Sequence, residues 1–299
     1  MKTINFNRYY KKFGFLSLIL IIISLSLLIF KGLNYGVDFK GGTLIEIRIE
    51  TSDHSISNVR DVFSNLNLPN VTVKKFGNDN DYIVKFQKQN LDDPEYINNL
   101  KIEAAKSFAD INFRRVENVG PKVSSELLKS GIIAITLSLA AMLFYIWIRF
   151  EWQFSLGAIM ALFHDVIITL GIFSLLSLEI NLSIVAAVLT IVGYSMNDTV
   201  VIFDRVRDNL RRFADLNIFD LTNQSINETL SRTILTSVTT LLALLSIFFL
   251  GGEILRGFSF AMITGVIIGT YSSIYIANPI LVKLNVNHYT VIKKDEEKS

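Results

Sequence analysis

The chain has 299 residues, of which 51% are hydrophobic, and its mean hydropathy is +0.42. That balance excludes a soluble protein built on one core, which would have to hide several uninterrupted apolar runs. A net charge of +2 does not ask for a nucleic-acid partner, and the absence of cysteine excludes disulfides and thiolate metal sites.

The first apolar run is Phe13–Phe30, close to the roughly 20 residues a helix needs to cross a bilayer. Lys2, Arg8, Lys11 and Lys12 precede it, as basic residues precede a signal peptide. The run is longer than the apolar core of such a peptide and no small-x-small cleavage site follows, so it reads as a retained anchor. Runs at Ile132–Ile148, Phe154–Leu178, Leu182–Phe203, Thr233–Leu250 and Phe258–Leu281 bring the expected transmembrane helices to six. Arg205, Arg207, Arg211 and Arg212 follow the fourth run, and Lys283, Lys293, Lys294 and Lys298 lie at the end of the chain. The loop after the third run has no Lys or Arg, and the loop after the fifth has only Arg256. Positive charge in short loops marks the cytoplasmic side, so both termini are expected there. The expected division is residues 1–33 for the N-terminus and first helix, 34–119 for an extracytoplasmic domain, 120–130 for a connector helix, 131–283 for helices two to six and 284–299 for a cytoplasmic tail.

Between the first two runs the pattern changes. Thr43–Glu50 alternates like a strand, Ser55–Leu66 has helical spacing with Ser55 as N-cap, and Val71–Phe76 and Tyr82–Gln87 read as strands joined by a turn at Gly77-Asn78-Asp79-Asn80. A helix is expected from Asp93 and Pro94 to about Ala109, and Ile111–Val116 closes the set as a strand. The order β-α-β-β-α-β predicts an α+β ferredoxin-like domain. His54, beside Asp53, reads as a solvated turn residue, and nothing in this segment reads as catalytic. Pro121 at a first helical position predicts a short amphipathic helix over Pro121–Leu128 leading into the second run. A lever that passes motion and a plain linker both fit it.

Ionisable groups inside hydrocarbon are costly and mark functional candidates. Asp198 lies in the fourth run and Asp165, after His164, in the third. Thr190, Tyr194, Asn197 and Asp198 are spaced to share one helical face, with Gly193 beside them for a close neighbour. Thr233, Thr236, Ser237 and Thr240 form a matching stripe on the fifth run, with Arg232 at its start. The sixth run carries Ala261, Gly265, Gly269 and Ser273 four apart. A carboxylate among hydroxyls suits a proton or sodium path, and it also suits simple interhelical hydrogen bonding. The His164–Asp165 pair is open to the same two readings. Two intramembrane aspartates also raise an aspartyl protease, but neither Tyr-Asp nor Gly-x-Gly-Asp, the pattern of that class, occurs at them. No phosphate-binding loop or metal-ligand cluster is visible, so no cofactor, no metal and no bond-making enzyme are expected.

Several segments carry a resemblance. Asn34-Tyr35-Gly36-Val37-Asp38-Phe39-Lys40-Gly41-Gly42-Thr43 resembles the Asp-Phe-x-Gly-Gly signature of the SecD/SecF family. Gly193-Tyr194-Ser195-Met196-Asn197-Asp198-Thr199 through Asn209 resembles the fourth-span signature of its SecF branch, and Arg232-Thr233-Ile234-Leu235-Thr236-Ser237 through Gly251-Gly252 its fifth span and turn. The resemblance implies an α-helical membrane protein of the resistance–nodulation–division superfamily in the bacterial inner membrane. It implies SecD as partner in a pseudo-symmetric twelve-helix unit, association with the SecYEG channel and YajC, and exported polypeptides as cargo. It implies an ion gradient as energy source, with Asp198 in ion conduction and Arg232 as its basic partner. Gly36, Gly41 and Gly42 are expected to shape the junction between membrane and domain. The rival classes are a small-molecule exporter half and a passive scaffold.

Overall fold

A computed structural model of the chain describes residues 3–50, 55–66, 68–76, 78–87, 94–108, 110–213 and 215–291. His54, Asp53, Gly77, Asp93, Ala109 and the lysines at 293, 294 and 298 lie outside the described residues. Among the described residues six helices are long and apolar enough to cross a membrane: Asn7–Phe30, Pro121–Arg149, Trp152–Leu175, Leu182–Arg212, Ile218–Leu250 and Leu255–Lys283. They are called the first to sixth spans below. The chain divides into two compact units, Met1–Asn34 with Ile133–Ser299, and Tyr35–Ile132.

In the membrane unit the third, fourth and sixth spans form the inner layer. About half of each is buried, against 17% or less for the first, second and fifth. Close approach is set by small residues. A methyl group placed on Gly171 of the third span would stand 2.3 Å from Ser24 Oγ of the first, and one on Gly157 would stand 2.9 Å from the Ala277 carbonyl. The Ser174 hydroxyl of the third span donates to the Leu27 and Gly32 carbonyls, closing the first span's end. At the opposite end Phe150, Phe154 and Phe203 pack as one aromatic group, with the Phe154 and Phe203 rings 5.2 Å apart edge to face.

Most spans exceed their apolar runs. The fourth continues from Phe203 to Arg212, and the fifth begins at Ile218 rather than Thr233, capped by the Asn217 side chain on Phe219 N. These extensions are polar helices that dock on one another. Arg205 Nε meets Glu228 at 2.5 Å, and Asn209 meets Ser225 at 2.9 Å and Glu228 at 2.8 Å. Arg207 and Glu151 form a buried ion pair at 3.1 Å. The chain start lies on the same extension, where Asn227 exchanges two hydrogen bonds with the Ile4 backbone. His288 Nδ1 meets the Leu210 carbonyl at 2.7 Å. The helix expected to start at Pro121 does so, and it runs without a break into the second span as Pro121–Arg149.

The second unit holds a four-stranded antiparallel sheet of β1 (Gly42–Ile49), β2 (Thr72–Phe76), β3 (Asn78–Phe86) and β4 (Ile111–Val119), in spatial order β2-β3-β1-β4. Helices Ile56–Asn65 and Pro94–Ser107 follow β1 and β3 in the chain. Ile45, Ile47 and Ile49 of β1 join Val59, Phe63, Leu100 and Ala104 in one core. Ser55 caps its helix by accepting from Asn58 N, as expected. Of the turn expected at Gly77–Asn80, Asn78 to Asn80 already lie inside β3. The register shift between Lys75 and Phe76 absorbs the extra residues.

Just before β1, the short helix Val37–Lys40 buries Val37 and Phe39. Of the three junction glycines, Gly36 has ordinary extended backbone, so freedom of φ is needed only at Gly41 (+73°) and Gly42 (+128°). A methyl group on Gly42 would stand 2.7 Å from the Phe86 carbonyl, and one on Gly41 3.0 Å from Ser124 Oγ. Asp38 is half-buried on the same short helix.

Candidate ion-coupling site

The fourth and sixth spans meet along three turns at four-residue spacing. Ile191, Ser195 and Thr199 face Gly265, Gly269 and Ser273. A methyl group on Gly265 would stand 2.3 Å from Ile191 Cγ1, and one on Gly269 2.9 Å from Ser195 Cβ. Below the glycines the contact becomes polar, with Thr199 Oγ1 and Ser273 Oγ 2.8 Å apart. The expected small-residue seam is thus the surface that brings the two helices together.

Both aspartates lie inside this packing, Asp165 with 1% of its surface exposed and Asp198 with 3%. Asp165 Oδ2 accepts from Ser195 Oγ of the fourth span at 2.5 Å and from Ser272 Oγ of the sixth at 2.8 Å, while Oδ1 lies 2.8 Å from His164 Nδ1. Asp198 Oδ2 accepts from Thr270 Oγ1 at 3.4 Å, and that hydroxyl lies 2.8 Å from Ser237 Oγ of the fifth span. Arg232 is exposed on the fifth span. The sixth span therefore touches both carboxylates, through Thr270 and Ser272.

Adjacent Ser272 and Ser273 serve different neighbours, as successive residues of a helix point in different directions, and the helix changes form just after Ser272. Ser273–Ala277 is a π-helical turn, which widens the ring of backbone bonds. The Asn278 side-chain amide donates to the Ser273 carbonyl at 2.7 Å, and Pro279 has no N–H to continue a regular ladder.

The remaining expected residues are distributed differently. Asn197, Thr190 and Gly193 lie on the exposed side of the fourth span, and a methyl group on Gly193 would meet nothing within 4 Å. Tyr194 is half-buried, its hydroxyl enclosed without a hydrogen-bond partner among the described residues. The Thr236 hydroxyl is taken by its own helix, at the Arg232 and Thr233 carbonyls. Thr240 is half-buried. Of the fifth-span stripe, Ser237 makes the link to Thr270 and Asp198. Sequence reasoning missed Thr270 and Ser272, since hydroxyls on a membrane helix carry no special signal. The Asn278-Pro279 pair was the available clue, marking where the ladder would break.

A multi-pass membrane protein with six apolar helices, an α/β domain after the first of them and a pair of buried carboxylates is the class this architecture defines. Residues 100–287 match the family described as protein export membrane protein SecD/SecF, C-terminal, and residues 26–53 match the SecD/SecF GG motif. A protein translocase subunit SecF from Vibrio alginolyticus is 41% identical over 99% of this chain and 95% of its own length. One from Rickettsia bellii (strain OSU 85-389) is 46% identical over 87% of this chain and 88% of its own. The crystal structure of SecDF, a translocon-associated membrane protein from Thermus thermophilus, superposes with a TM-score of 0.87 at 35% identity over 94% of this chain. The chain spans 38% of that SecDF chain. It belongs to the SecD/SecF family.

Proposed function

We propose that the chain is an auxiliary subunit of Sec protein export that works beside SecD and uses the ion gradient across the bacterial inner membrane to promote translocation of exported polypeptides. It associates in this reading with the SecYEG channel and YajC, and it makes or breaks no covalent bond. Asp198 is the ion-coupling carboxylate and Arg232 its basic partner, with Asp165 as a second buried carboxylate. The observation that carries the reading is Asp198 itself: a 3%-exposed carboxyl within a membrane span, held by a hydroxyl that is shared with the fifth span. Gaining or losing a cation there changes a charge in low dielectric, and the sixth and fifth spans feel it through Thr270.

Two further observations support the reading. Thr190, Gly193 and Asn197 lie on an exposed face of the fourth span, and a polar lipid-facing stripe is costly unless another helix covers it. That favours a second membrane subunit on this face. The basic extensions of the second, fourth and sixth spans, at Arg149, Arg207 and Lys283, lie toward the chain start, which supports cytoplasmic termini.

The test is replacement of the chromosomal copy by Asp198→Asn, with export of a secreted reporter as readout and co-purification of SecD as the control for assembly. The reading expects assembly retained and export slowed at least tenfold. Export at the wild-type rate in an assembled complex would leave only a scaffold. A drug-resistance defect with normal export would point to a small-molecule exporter.

A further inference from the structure

His164 is buried to 1% in the third span, and its two ring nitrogens differ. Nδ1 lies 2.8 Å from Asp165 Oδ1. The other carboxylate oxygen already accepts the Ser195 and Ser272 hydroxyls. With Asp165 as the anion, an Nδ1–H is its third donor and Nε2 carries a lone pair. Nε2 is enclosed and has no hydrogen-bond partner among the described residues. Its obvious neighbour cannot supply one: the Tyr271 ring stacks on the imidazole at 5.9 Å, with its hydroxyl engaged by the Phe13 carbonyl at 2.8 Å and Ser17 Oγ at 2.7 Å.

We propose that His164 is a proton-binding site in its own right, separate from Asp198, with Nε2 as the acceptor and Asp165 as the fixed counter-charge. A buried acceptor left unmade is costly, and a membrane-buried pair of neutral imidazole and carboxylate carries a net charge of −1. One proton taken up on Nε2 brings the pair to neutrality; no other bond forms or breaks. The imidazolium then lies against the face of Tyr271, a favourable placement for a cation. Tyr271 stands between Thr270, which holds Asp198, and Ser272, which holds Asp165, so the sixth span reads the state of the pair.

The groups facing His164 are few. Its own helix offers Asp165. The sixth span offers Tyr271, with Tyr275 behind it at 5.4 Å. The fourth span has Asp198, which turns to Thr270, and the first span presents the Ser17 hydroxyl. A purely structural knot is the rival. It needs only the Nδ1 donor, so it would be indifferent to Nε2.

The test uses the full chain assembled with SecD in lipid vesicles and labelled with ring-15N histidine. The sequence has three histidines, so replacing His54 and His288 by Gln leaves one labelled ring. Solid-state 15N NMR across about pH 5 to 9 is expected to show Nδ1 protonated throughout and Nε2 passing between its bare and protonated positions. An Nε2 that keeps one state at every pH, or an Nδ1 that carries no proton, overturns the proposal. A second measurement is export in His164→Asn, whose amide keeps a donor for Asp165 but has no basic nitrogen. The site expects a tenfold or greater loss of gradient-driven export with a flattened pH profile, whereas the wild-type rate and profile would reduce the pair to a knot. The proposal rests on the ion-coupling reading only for this second measurement. Titration of Nε2 together with an inert Asp198→Asn would defeat that reading and leave the proton site standing.

Discussion

The Arg207–Glu151 pair allows a quantitative prediction. Their side chains are 6% and 4% exposed and 3.1 Å apart, at the end where the third and fourth spans meet. Removing one partner from a buried pair leaves an uncompensated charge, a loss of about 3–5 kcal/mol. The two deletions should not be equal. Arg207 also donates to the Arg149 carbonyl at 3.4 Å, so Glu151→Gln leaves the guanidinium with a partner and should cost about 2–3 kcal/mol. Arg207→Gln leaves the Glu151 carboxylate without its cation and should cost about 4 kcal/mol. In the double variant no charge is stranded, and its loss should be below the sum of the singles by about 2 kcal/mol or more. The assay is denaturant unfolding of the detergent-solubilised full chain followed by tryptophan emission. The only two tryptophans, Trp147 and Trp152, flank Glu151, so the signal reports on this corner. Single variants that each cost less than about 1 kcal/mol, or an additive double, would refute the argument that the pair is dry and mutually dependent.

Two other perturbations follow from packing and charge. Gly265→Ala puts a methyl group 2.3 Å from the buried Ile191 side chain and should cost about 1–3 kcal/mol in the same assay, whereas Gly193→Ala meets nothing and should not destabilise the chain. Equal losses at the two glycines would mean that the seam between the fourth and sixth spans is not what holds them. In the α/β domain, burial and the nearby Lys74 push the Lys85 ammonium down to about 8. The unfolded chain keeps that proton up to its ordinary 10.5. Between those values the unfolded state binds more protons, so stability rises with pH, and below them the strained ammonium is a constant cost. Lys85 is half-buried and partly screened by solvent, so the cost is about 1 kcal/mol. Lys85→Met should therefore protect the amides of β3 from hydrogen exchange by about that much near pH 7, with the advantage shrinking toward pH 9.5. An advantage that does not change with pH would mean packing rather than charge.

What was legible in the sequence followed from the solvent. A bilayer demands uninterrupted apolar length, so all six spans announced themselves. Their extensions did not, because Phe203–Arg212 and Ile218–Arg232 set a few core residues such as Val206, Leu210, Leu221 and Ile226 among many polar ones and are not uninterrupted apolar runs. The element order of the α/β domain was readable from alternation and the Ser55 cap, while the start of β3 at Asn78 went with a register shift that composition does not encode. Asp165 and Asp198 were visible as charges in apolar runs. Their partners were not: whether Thr236 or Ser237 reaches inward, and whether Ser272 meets Asp165, depends on the rotation of one helix against another.

The central claim is that Asp198 couples an ion gradient to export. The direct measurement is the rate at which a precursor is released from membrane vesicles after ATP-driven entry, with proton and sodium gradients imposed in turn, for the wild-type complex and for Asp198→Asn assembled with SecD. One of the two gradients is expected to accelerate the wild type, and neither to accelerate Asp198→Asn. An Asp198→Asn complex that responds to the gradient as the wild type does would contradict it.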